Sequence, residues 1–334
     1  MAGAHVRQGV KRMSMWLSLI VVAALALTSV GSTAFAAGYP SSAITLVIPL
    51  SPGDATDIVG RTIGEEMAKL LKVPVVPVNR PGGGMTIGID SVVKAKKDGY
   101  TLLETPSSGL VASRILNPEA ATYDPHKDLV ALGRAARSPL MVTVRQDAPF
   151  KGFKDMVEFS KKNPGKVHVG TIGAGTLGHL ALEMINSLTG AGLTMVPFKG
   201  GAAGITALLG GHVEAVIFTV GALNTHIKSG SVRGVVISSR YAELRDVPTL
   251  IDLGYSQTYP DPWMAFYAPA GVPAEVPKVL IPVLEKVSKD PAVGVKLAGL
   301  GVVQDWAPPE RVLADLRQEH RVLEEIARKA GLVK

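Results

Sequence analysis

The chain has 334 residues, no cysteine, 36 glycines and 23 prolines, and its formal net charge is +7. Apolar residues make up 47% of it and charged residues 19%, a composition that excludes a disordered chain. The absence of cysteine excludes a disulfide scaffold, a cysteine-ligated metal centre and a thiol nucleophile. No basic run is longer than two residues and aromatic residues are only 5%, so nucleic acid is not an expected partner.

The N-terminus has the pattern of an export signal. Three basic residues within the first twelve positions precede an apolar stretch from Trp16 to Leu27, and small residues follow up to Ala34-Phe35-Ala36. The uninterrupted apolar core is shorter than the ~20 residues that a membrane span needs. We therefore predict a signal peptide over residues 1–36, cleavage after Ala36 and an exported mature chain.

Short apolar runs alternate with helical patterns in the first part of the mature chain. The pattern predicts strands at Ile44–Pro49, Val73–Val78 and Tyr100–Glu104 and helices at Thr56–Leu71 and Ile87–Lys96. Because these strands are continuously apolar and do not alternate, they favour a parallel sheet covered on both faces.

The same alternation returns further along the chain. It predicts strands at Leu140–Arg145, Val167–Ile172, Thr194–Phe198, Glu214–Phe218, Val232–Ser238 and Trp263–Ala268. It also predicts helices at Phe153–Lys161, Leu177–Thr189, Ala203–Leu209, Ala274–Ser288 and Pro309–Ala330. The helical tail has no predicted sheet of its own, so we expect it to pack on the first run.

This organisation predicts an α/β protein with two lobes, each a mostly parallel sheet flanked by helices. The first lobe is discontinuous and takes residues 39–138 plus 256–334, and the second takes residues 139–255. A cleft between two such lobes is typical of hinge-closing, type II-like periplasmic binding proteins. Ligands of open parallel sheets bind at the carboxyl ends of the strands, so the loops that follow the strands are the candidate sites.

The first candidate loop joins the first strand to the first helix. It reads Ser51-Pro52-Gly53-Asp54-Ala55-Thr56-Asp57. Small residues at a helix N-terminus leave backbone N–H groups free to bind an anion, and the helix dipole adds about 0.3–1 kcal/mol. Capping of the helix by Asp54, Thr56 or Asp57 is the alternative interpretation.

The second candidate loop reads Gly173-Ala174-Gly175-Thr176-Leu177-Gly178 and lies between a strand and a helix. This is the G-x-G-x-x-G spacing of dinucleotide sites, which also require an acidic residue about 20 positions on. The next strand ends instead at Lys199, and exported proteins meet few nucleotide cofactors. A carboxylate at this helix N-terminus fits better, and no cofactor is expected.

Two further segments add polar groups. Ser107 and Ser108 follow the third strand, where their hydroxyls can donate to a carboxylate or merely face solvent. Lys199 and Gly200 offer a cation and free N–H groups. Two other chemistries were weighed: an exported hydrolase using Ser107 or Ser108, for which no G-x-S-x-G elbow is present, and a metal held by His179 and Glu183, for which no third ligand is near in sequence.

Several segments together match one known family. In order they are Ile44–Pro49 with Ser51-Pro52-Gly53 and Asp57, Asn79-Arg80-Pro81-Gly82 with Thr86-Ile87-Gly88, Asp98–Leu102, Gly173–Thr176 with His179-Leu180, Pro197–Gly200, Leu208–Gly211, Asp246–Thr249 and Ala268–Gly271. This series resembles the Bug family of periplasmic receptors of tripartite tricarboxylate transporters, over residues 39–331.

The resemblance implies a monomeric binding protein without catalytic residues that closes on a small organic carboxylate. It implies integral-membrane transporter subunits as partners, with a carboxylate sensor for a signalling partner as an alternative. The implied ligand-binding residues are Ser51, Gly53, Asp54, Ala55, Thr56, Asp57, Ser107, Ser108, Gly173, Ala174, Gly175, Thr176, Lys199, Gly200 and Thr219. Members of the family usually carry glycine at position 54 and many carry aspartate at 219, so Asp54 and Thr219 leave the identity of the ligand open.

Overall fold

The computed structural model describes residues 38–329 and 331–333, so the predicted signal peptide and its cleavage site lie outside the described residues. The strands are β1 (Ile44–Ile48), β2 (Val75–Asn79), β3 (Thr101–Pro106), β4 (Leu129–Arg137), β5 (Leu140–Arg145), β6 (His168–Thr171), β7 (Thr194–Pro197), β8 (Ala215–Thr219), β9 (Val232–Ile237), β10 (Trp263–Pro269) and β11 (Val303–Ala307). The helices are α1 (Ala55–Leu71), α2 (Thr86–Val93), α3 (Ser107–Leu110), α4 (Ala112–Leu116), α5 (Phe153–Lys162), α6 (Leu177–Thr189), α7 (Gly201–Leu209), α8 (Val220–Lys228), α9 (Glu275–Ser288), α10 (Pro291–Gly299) and α11 (Pro309–Lys329).

These strands form two mixed sheets. The first has six strands in the order β11-β4-β10-β3-β1-β2, and the second has five in the order β7-β6-β8-β5-β9. In the first sheet β1 pairs in parallel with β2 and β3, whereas β10 and β11 pair antiparallel. In the second sheet β6 pairs in parallel with β7 and β8, whereas β5 pairs antiparallel with β8 and β9. The predicted α/β class is confirmed, but the sheets are mixed where a mostly parallel arrangement was expected.

The tail of the chain supplies two strands of the first sheet. β10 lies between β3 and β4, and β11 forms one edge. The expectation that the tail is purely helical beyond residue 268 is therefore wrong, because the half-exposed β11 has no apolar run to reveal it. The expectation that the tail packs on the first run agrees with this arrangement.

Strand β4 escaped prediction because two arginines interrupt its apolar pattern. Both arginines are neutralised in the fold: Arg134 pairs with Asp305 and Asp315, and Arg137 pairs with Asp261. The local sequence pattern cannot show these acids, because they lie far from β4 along the chain. Their negative charges offset the cost of placing the arginines in a sheet.

Helix α1 lies very close to the first sheet and thereby positions the loop before it. Val59, Ile63 and Met67 are buried on its inner face. A β-carbon added at Gly60 would lie 2.7 Å from Ile48 Cδ1, so a larger residue there would have to displace the Ile48 side chain. The start of α1 is therefore held at the carboxyl end of β1.

The chain connects the two sheets twice, at residues 138–139 and at residues 238–262. Hydrogen bonds to Asp261 link these two connections. Its carboxylate accepts hydrogen bonds from Arg137 Nη1 at 2.6 Å, Ser239 Oγ at 2.6 Å and Ser238 Oγ. Ser238 Oγ in turn accepts from the backbone N–H of Leu140 at 2.8 Å. One half-buried acid thus ties the last residue of β4 to the segment that follows β9.

Replacing Asp261 with alanine should lower the free energy of unfolding by about 1–3 kcal/mol, since a charge-assisted hydrogen-bond network loses its acceptor. Urea denaturation followed by circular dichroism measures this. Asp147→Ala is the matched control, because the side chain of Asp147 is 77% exposed in its pair with Arg145. Equal stabilities of the two variants would contradict the role given to Asp261.

Candidate functional site

The carboxyl ends of strands from both sheets face each other across a cleft. An inner cavity of about 40 Å³ lies between the ends of β1, β3, β6 and β8. An outer cavity of about 370 Å³ lies beside it at the ends of β1, β2, β6 and β7. Leu50 and Ile172 line both, so the two cavities are neighbouring parts of one cleft. The inner cavity as it stands has room for a few water molecules only, so a larger ligand needs the cleft to widen.

Some of the predicted site residues line the inner cavity, some line the outer cavity, and the others line neither. Asp54, Ala55, Thr56, Ser108 and Thr219 line the inner cavity. Gly173, Thr176 and Lys199 line the outer cavity. The other predicted residues line neither of these two cavities; they are Ser51, Gly53, Asp57, Ser107, Ala174, Gly175 and Gly200.

Asp57 organises the loop between β1 and α1 and does not face the cleft. Its carboxylate accepts hydrogen bonds from the backbone N–H of Gly53 at 2.9 Å, Arg61 Nε at 2.9 Å and Asn79 Nδ2 at 2.9 Å. Burial alone would raise the pKa of Asp57, but these donors outweigh it and hold the pKa below its usual range. The geometry supports a positioning role for Asp57 and not the contact with a ligand that was predicted.

The same network reaches the next strand. Asn79 Nδ2 also donates to the carbonyl oxygen of Leu50 at 2.9 Å, and Arg61 Nη2 donates to Asn79 Oδ1 at 2.8 Å. Gly53 has φ +86°, a left-handed conformation that glycine adopts without strain. The loop therefore turns sharply over α1 and brings Asp54 to the cleft.

Asp54 is 6% exposed and has an unusual protonation equilibrium for a carboxylate. Burial, with a smaller contribution from the charge of Asp57, raises its pKa to about 7, although the backbone N–H groups of Gly201 and Ser51 partly oppose the shift. Gly201 is the first residue of α7, so this carboxylate of the first sheet's loop contacts a helix of the second sheet.

Asp54→Asn should change how stability depends on pH. In the wild type the folded state holds a proton that the unfolded carboxyl loses near pH 4. The contribution of Asp54 to the free energy of unfolding therefore falls as pH rises from about 4 to 7, and it does not change further above pH 7. Each pKa unit corresponds to about 1.4 kcal/mol, so the total fall is of order 1–4 kcal/mol.

The asparagine variant lacks this contribution, so its stability relative to the wild type should increase between pH 4.5 and pH 8 in urea denaturation. Glu158→Gln, a change of an exposed acid on α5, should run parallel to the wild type. A constant difference between Asp54→Asn and the wild type across this range would show that Asp54 is ionised in the folded state throughout.

The loop after β6 has the geometry that its glycines predict. Gly173 has φ +109° and Gly175 φ +80°, both in the left-handed region. Thr176 caps α6: its Oγ1 donates to the carbonyl oxygen of Gly173 at 2.7 Å and accepts from the N–H of His179 at 3.4 Å. Thr219 caps α8 in the same way, accepting from the N–H of Ala222 at 3.4 Å. Two helices of the second sheet therefore begin at the cleft.

Two hydroxyls connect the loops of the two sheets. Ser51 Oγ donates to the carbonyl oxygen of Lys199 at 3.2 Å. Ser113 Oγ lies 2.6 Å from the carbonyl oxygen of Gly84 and 3.1 Å from that of Gly175. Ser51 and Ser113 thus link the two sides of the cleft, and the exposed Lys199 lies at its mouth.

The two serines after β3 have separate roles. Ser108 lines the inner cavity, whereas Ser107 Oγ donates to Glu319 Oε1 at 2.8 Å and is fully buried. Burial raises the pKa of Glu319 to about 7, and hydrogen bonds from Ser107 and Trp263 partly oppose that shift. Ser107 is thus part of the core beneath α11, which disagrees with its prediction as a ligand contact.

The residues that sequence reasoning missed are mostly apolar. Of the inner cavity's lining, these residues are not among the predicted ligand-binding residues, although Leu177 and Gly178 belong to the second candidate loop: Leu50, Pro106, Leu140, Ile172, Leu177, Gly178, Ile217, Phe218, Pro262 and Met264. The segment from Pro81 to Met85 lines the outer cavity, although its sequence indicates only a turn. The run of three glycines, Gly82 to Gly84, is the sequence signal for this segment, because glycine allows a close approach of the backbone to other groups.

Comparison with known proteins agrees with this geometry. A family model described as "Tripartite tricarboxylate transporter family receptor" matches residues 59–332. The chain belongs to this family of periplasmic solute-binding receptors, which are not enzymes, and the resemblance seen in the sequence is confirmed. It is 30% identical to BugT of Bordetella pertussis over 312 residues, which cover 93% of this chain and 94% of BugT.

Solved structures show the same fold. The periplasmic binding protein BugD superimposes with a TM-score of 0.83 at 30% identity, covering 89% of this chain and all of BugD. Rpa4515 of Rhodopseudomonas palustris, solved with adipate, has a TM-score of 0.84 at 26% identity, covering 88% of this chain and 98% of that one. MatC of the same organism, with bound malate, has a TM-score of 0.80 at 25% identity, covering 86% and 99%.

The alternative chemistries find no support beside this family. Within residues 38–329 and 331–333, no three His, Cys, Asp or Glu side chains are grouped so that they could hold a metal ion. Across the same residues, no helix combines the length and the apolar character that crossing a membrane requires. The hydrolase interpretation is wrong, because the family consists of receptors and Ser107 is hydrogen-bonded to Glu319.

Proposed function

We propose that the chain captures a small organic carboxylate in the cleft and delivers it to the integral-membrane subunits of a tripartite tricarboxylate-type transporter. In this proposal residues 39–138 plus 256–334 form one lobe, residues 139–255 form the other, and a monomer works after cleavage following Ala36. The observation that carries it is a cleft lined from both sheets by helix starts, hydroxyls and Lys199.

Closure by a hinge follows from how the two sides are joined. Asp261 fastens the two connections between the sheets. On the cleft side the sheets are held by single hydrogen bonds such as that from Ser51 to Lys199. A neutral hydrogen bond contributes only about 0.5–1.5 kcal/mol net, so these contacts can break and re-form while the connections persist.

The affinity of such a site needs donors from both lobes. Micromolar binding corresponds to about −8 kcal/mol, and hydrogen bonds to a charged group contribute roughly 1.5–3 kcal/mol each. Closure and ordering oppose them, so one loop is insufficient. The starts of α1, α6 and α8 together with Lys199 offer several donors. Malate and adipate, seen in MatC and Rpa4515, show the chemical class that such clefts hold in those proteins.

Isothermal titration calorimetry of residues 37–334 against malate, adipate, succinate, citrate and acetate tests the proposal. We expect at least one of these carboxylates to bind with a dissociation constant in the micromolar range or below. The folded chain should gain thermal stability with the same ligand, since binding to the native state shifts unfolding by mass action. Neither saturable heat nor a thermal shift with any carboxylate would contradict the proposal.

Lys199→Met should weaken binding of the carboxylate found in that panel about 10- to 100-fold, because it removes the cation at the mouth of the cleft. Lys166→Met is the matched control, since Lys166 is an exposed lysine before β6 that lines neither cavity. Both variants should melt near the wild-type temperature. Unchanged affinity in Lys199→Met would place the carboxylate elsewhere in the cleft.

A further inference from the structure

The side chain of Asp54 lies next to a helix other than the one that Asp54 precedes. Asp54 occupies the N-cap position of α1, but its side chain makes no capping hydrogen bond there. Helix α7 begins at Gly201 after Gly200, which has no side chain with which to cap it. The Asp54 carboxylate lies close to this helix start, since a β-carbon added at Gly201 would lie 2.9 Å from Asp54 Oδ1. A carboxylate from the first sheet's loop thus lies against the start of α7.

The second oxygen of this carboxylate faces the binding space. Asp54 lines the inner cavity, and its Oδ2 is buried with no hydrogen-bond partner within the described part of the chain. The other polar side chains of that cavity are those of Thr56, Ser108 and Thr219, and its remaining side chains are apolar. Among residues 38–329, the lining contains no lysine, arginine or histidine, and Asp54 is its one charged residue.

Such a cavity distinguishes between the possible ends of a ligand. A second carboxylate placed there would meet the Asp54 carboxylate in apolar surroundings, where two acids do not both ionise. A protonated amine brings the opposite charge together with the N–H donors that Oδ2 lacks. The outer cavity, with Lys199, remains available for a carboxylate.

We propose that Asp54 makes the inner cavity select a protonated amine over a second carboxylate, so that the receptor takes amino-monocarboxylates whose carboxylate lies at Lys199. This inference rests on the proposed function, because it names the ligand class of that same cleft. The raised pKa of Asp54 agrees with it, since an isolated carboxylate in this position lacks a cation to pair with.

The test is a set of calorimetric titrations of residues 37–334 at pH 8, where the free ligands and Asp54 are ionised. The probes share one chain length: 5-aminopentanoate, 5-hydroxypentanoate, pentanedioate and pentanoate. The four- and six-carbon counterparts cover other lengths. We expect the amino compound to bind at least tenfold more tightly than the diacid, hydroxy acid and unsubstituted acid of the same length.

Asp54→Asn keeps the shape of the side chain and removes its charge. It should weaken binding of the amino compound at least tenfold and strengthen binding of the matching diacid, so that the order of the two reverses. Asp54→Ser is the second variant, which removes the charge and retains a residue favoured at a helix N-cap. Glu158→Gln removes an exposed acid far from the cleft lining and should leave the ratio of affinities within twofold.

A wild type that prefers the diacid or binds the hydroxy acid equally well overturns the inference, as does a preference unchanged in both Asp54 variants. If carboxylates of the earlier panel bind and no amino compound does, selection by Asp54 is wrong and the receptor function stands. If no ligand of either set binds, the proposed function itself fails.

Discussion

The hydrogen bonds to Asp57 are the interaction on which the arrangement of the cleft depends. They join the start of α1 to the end of β2 through Arg61 and Asn79, and Asn79 also holds the carbonyl oxygen of Leu50. The loop between β1 and α1 therefore has little freedom, and its next polar residue, Asp54, is delivered across the cleft to α7. Two acids three positions apart thus have opposite pKa shifts: hydrogen-bond donors outweigh burial at Asp57, whereas burial dominates at Asp54.

The two sheets are joined at two separate places, the chain connections near Asp261 and the loops that meet at the cleft. The connections meet at Asp261, where charged and hydroxyl groups share one carboxylate. The opposite side is held by isolated contacts of Ser51, Ser113 and Asp54 with loops of the second sheet. The position of β10 between β3 and β4 anchors the tail of the chain to the first sheet.

The site was predictable where backbone chemistry has a local signature. Glycines at 173 and 175 occupy left-handed conformations, and Thr176 caps a helix, as the order of those residues indicates. Asp57 and Ser107, both predicted to contact a ligand, have other hydrogen-bond partners in the fold for a common reason. Their residue types suit a ligand site, but Arg61, Asn79 and Glu319 take up their hydrogen bonds. Glu319 lies 212 positions from Ser107, so no local pattern could reveal that pairing.

The sequence by itself determined the α/β class, most of the strands and helices, the family, and the loops from which the cleft is built. These follow from periodicity, from glycine and cap positions and from motifs, all of which act over a few residues. The tertiary structure alone decided that β4 and β11 join the first sheet, that apolar side chains line the inner cavity, and that Asp54 lies against the start of α7. Each of these depends on groups far apart in the chain, whose charges, burial and hydrogen bonds are set only when the two sheets meet.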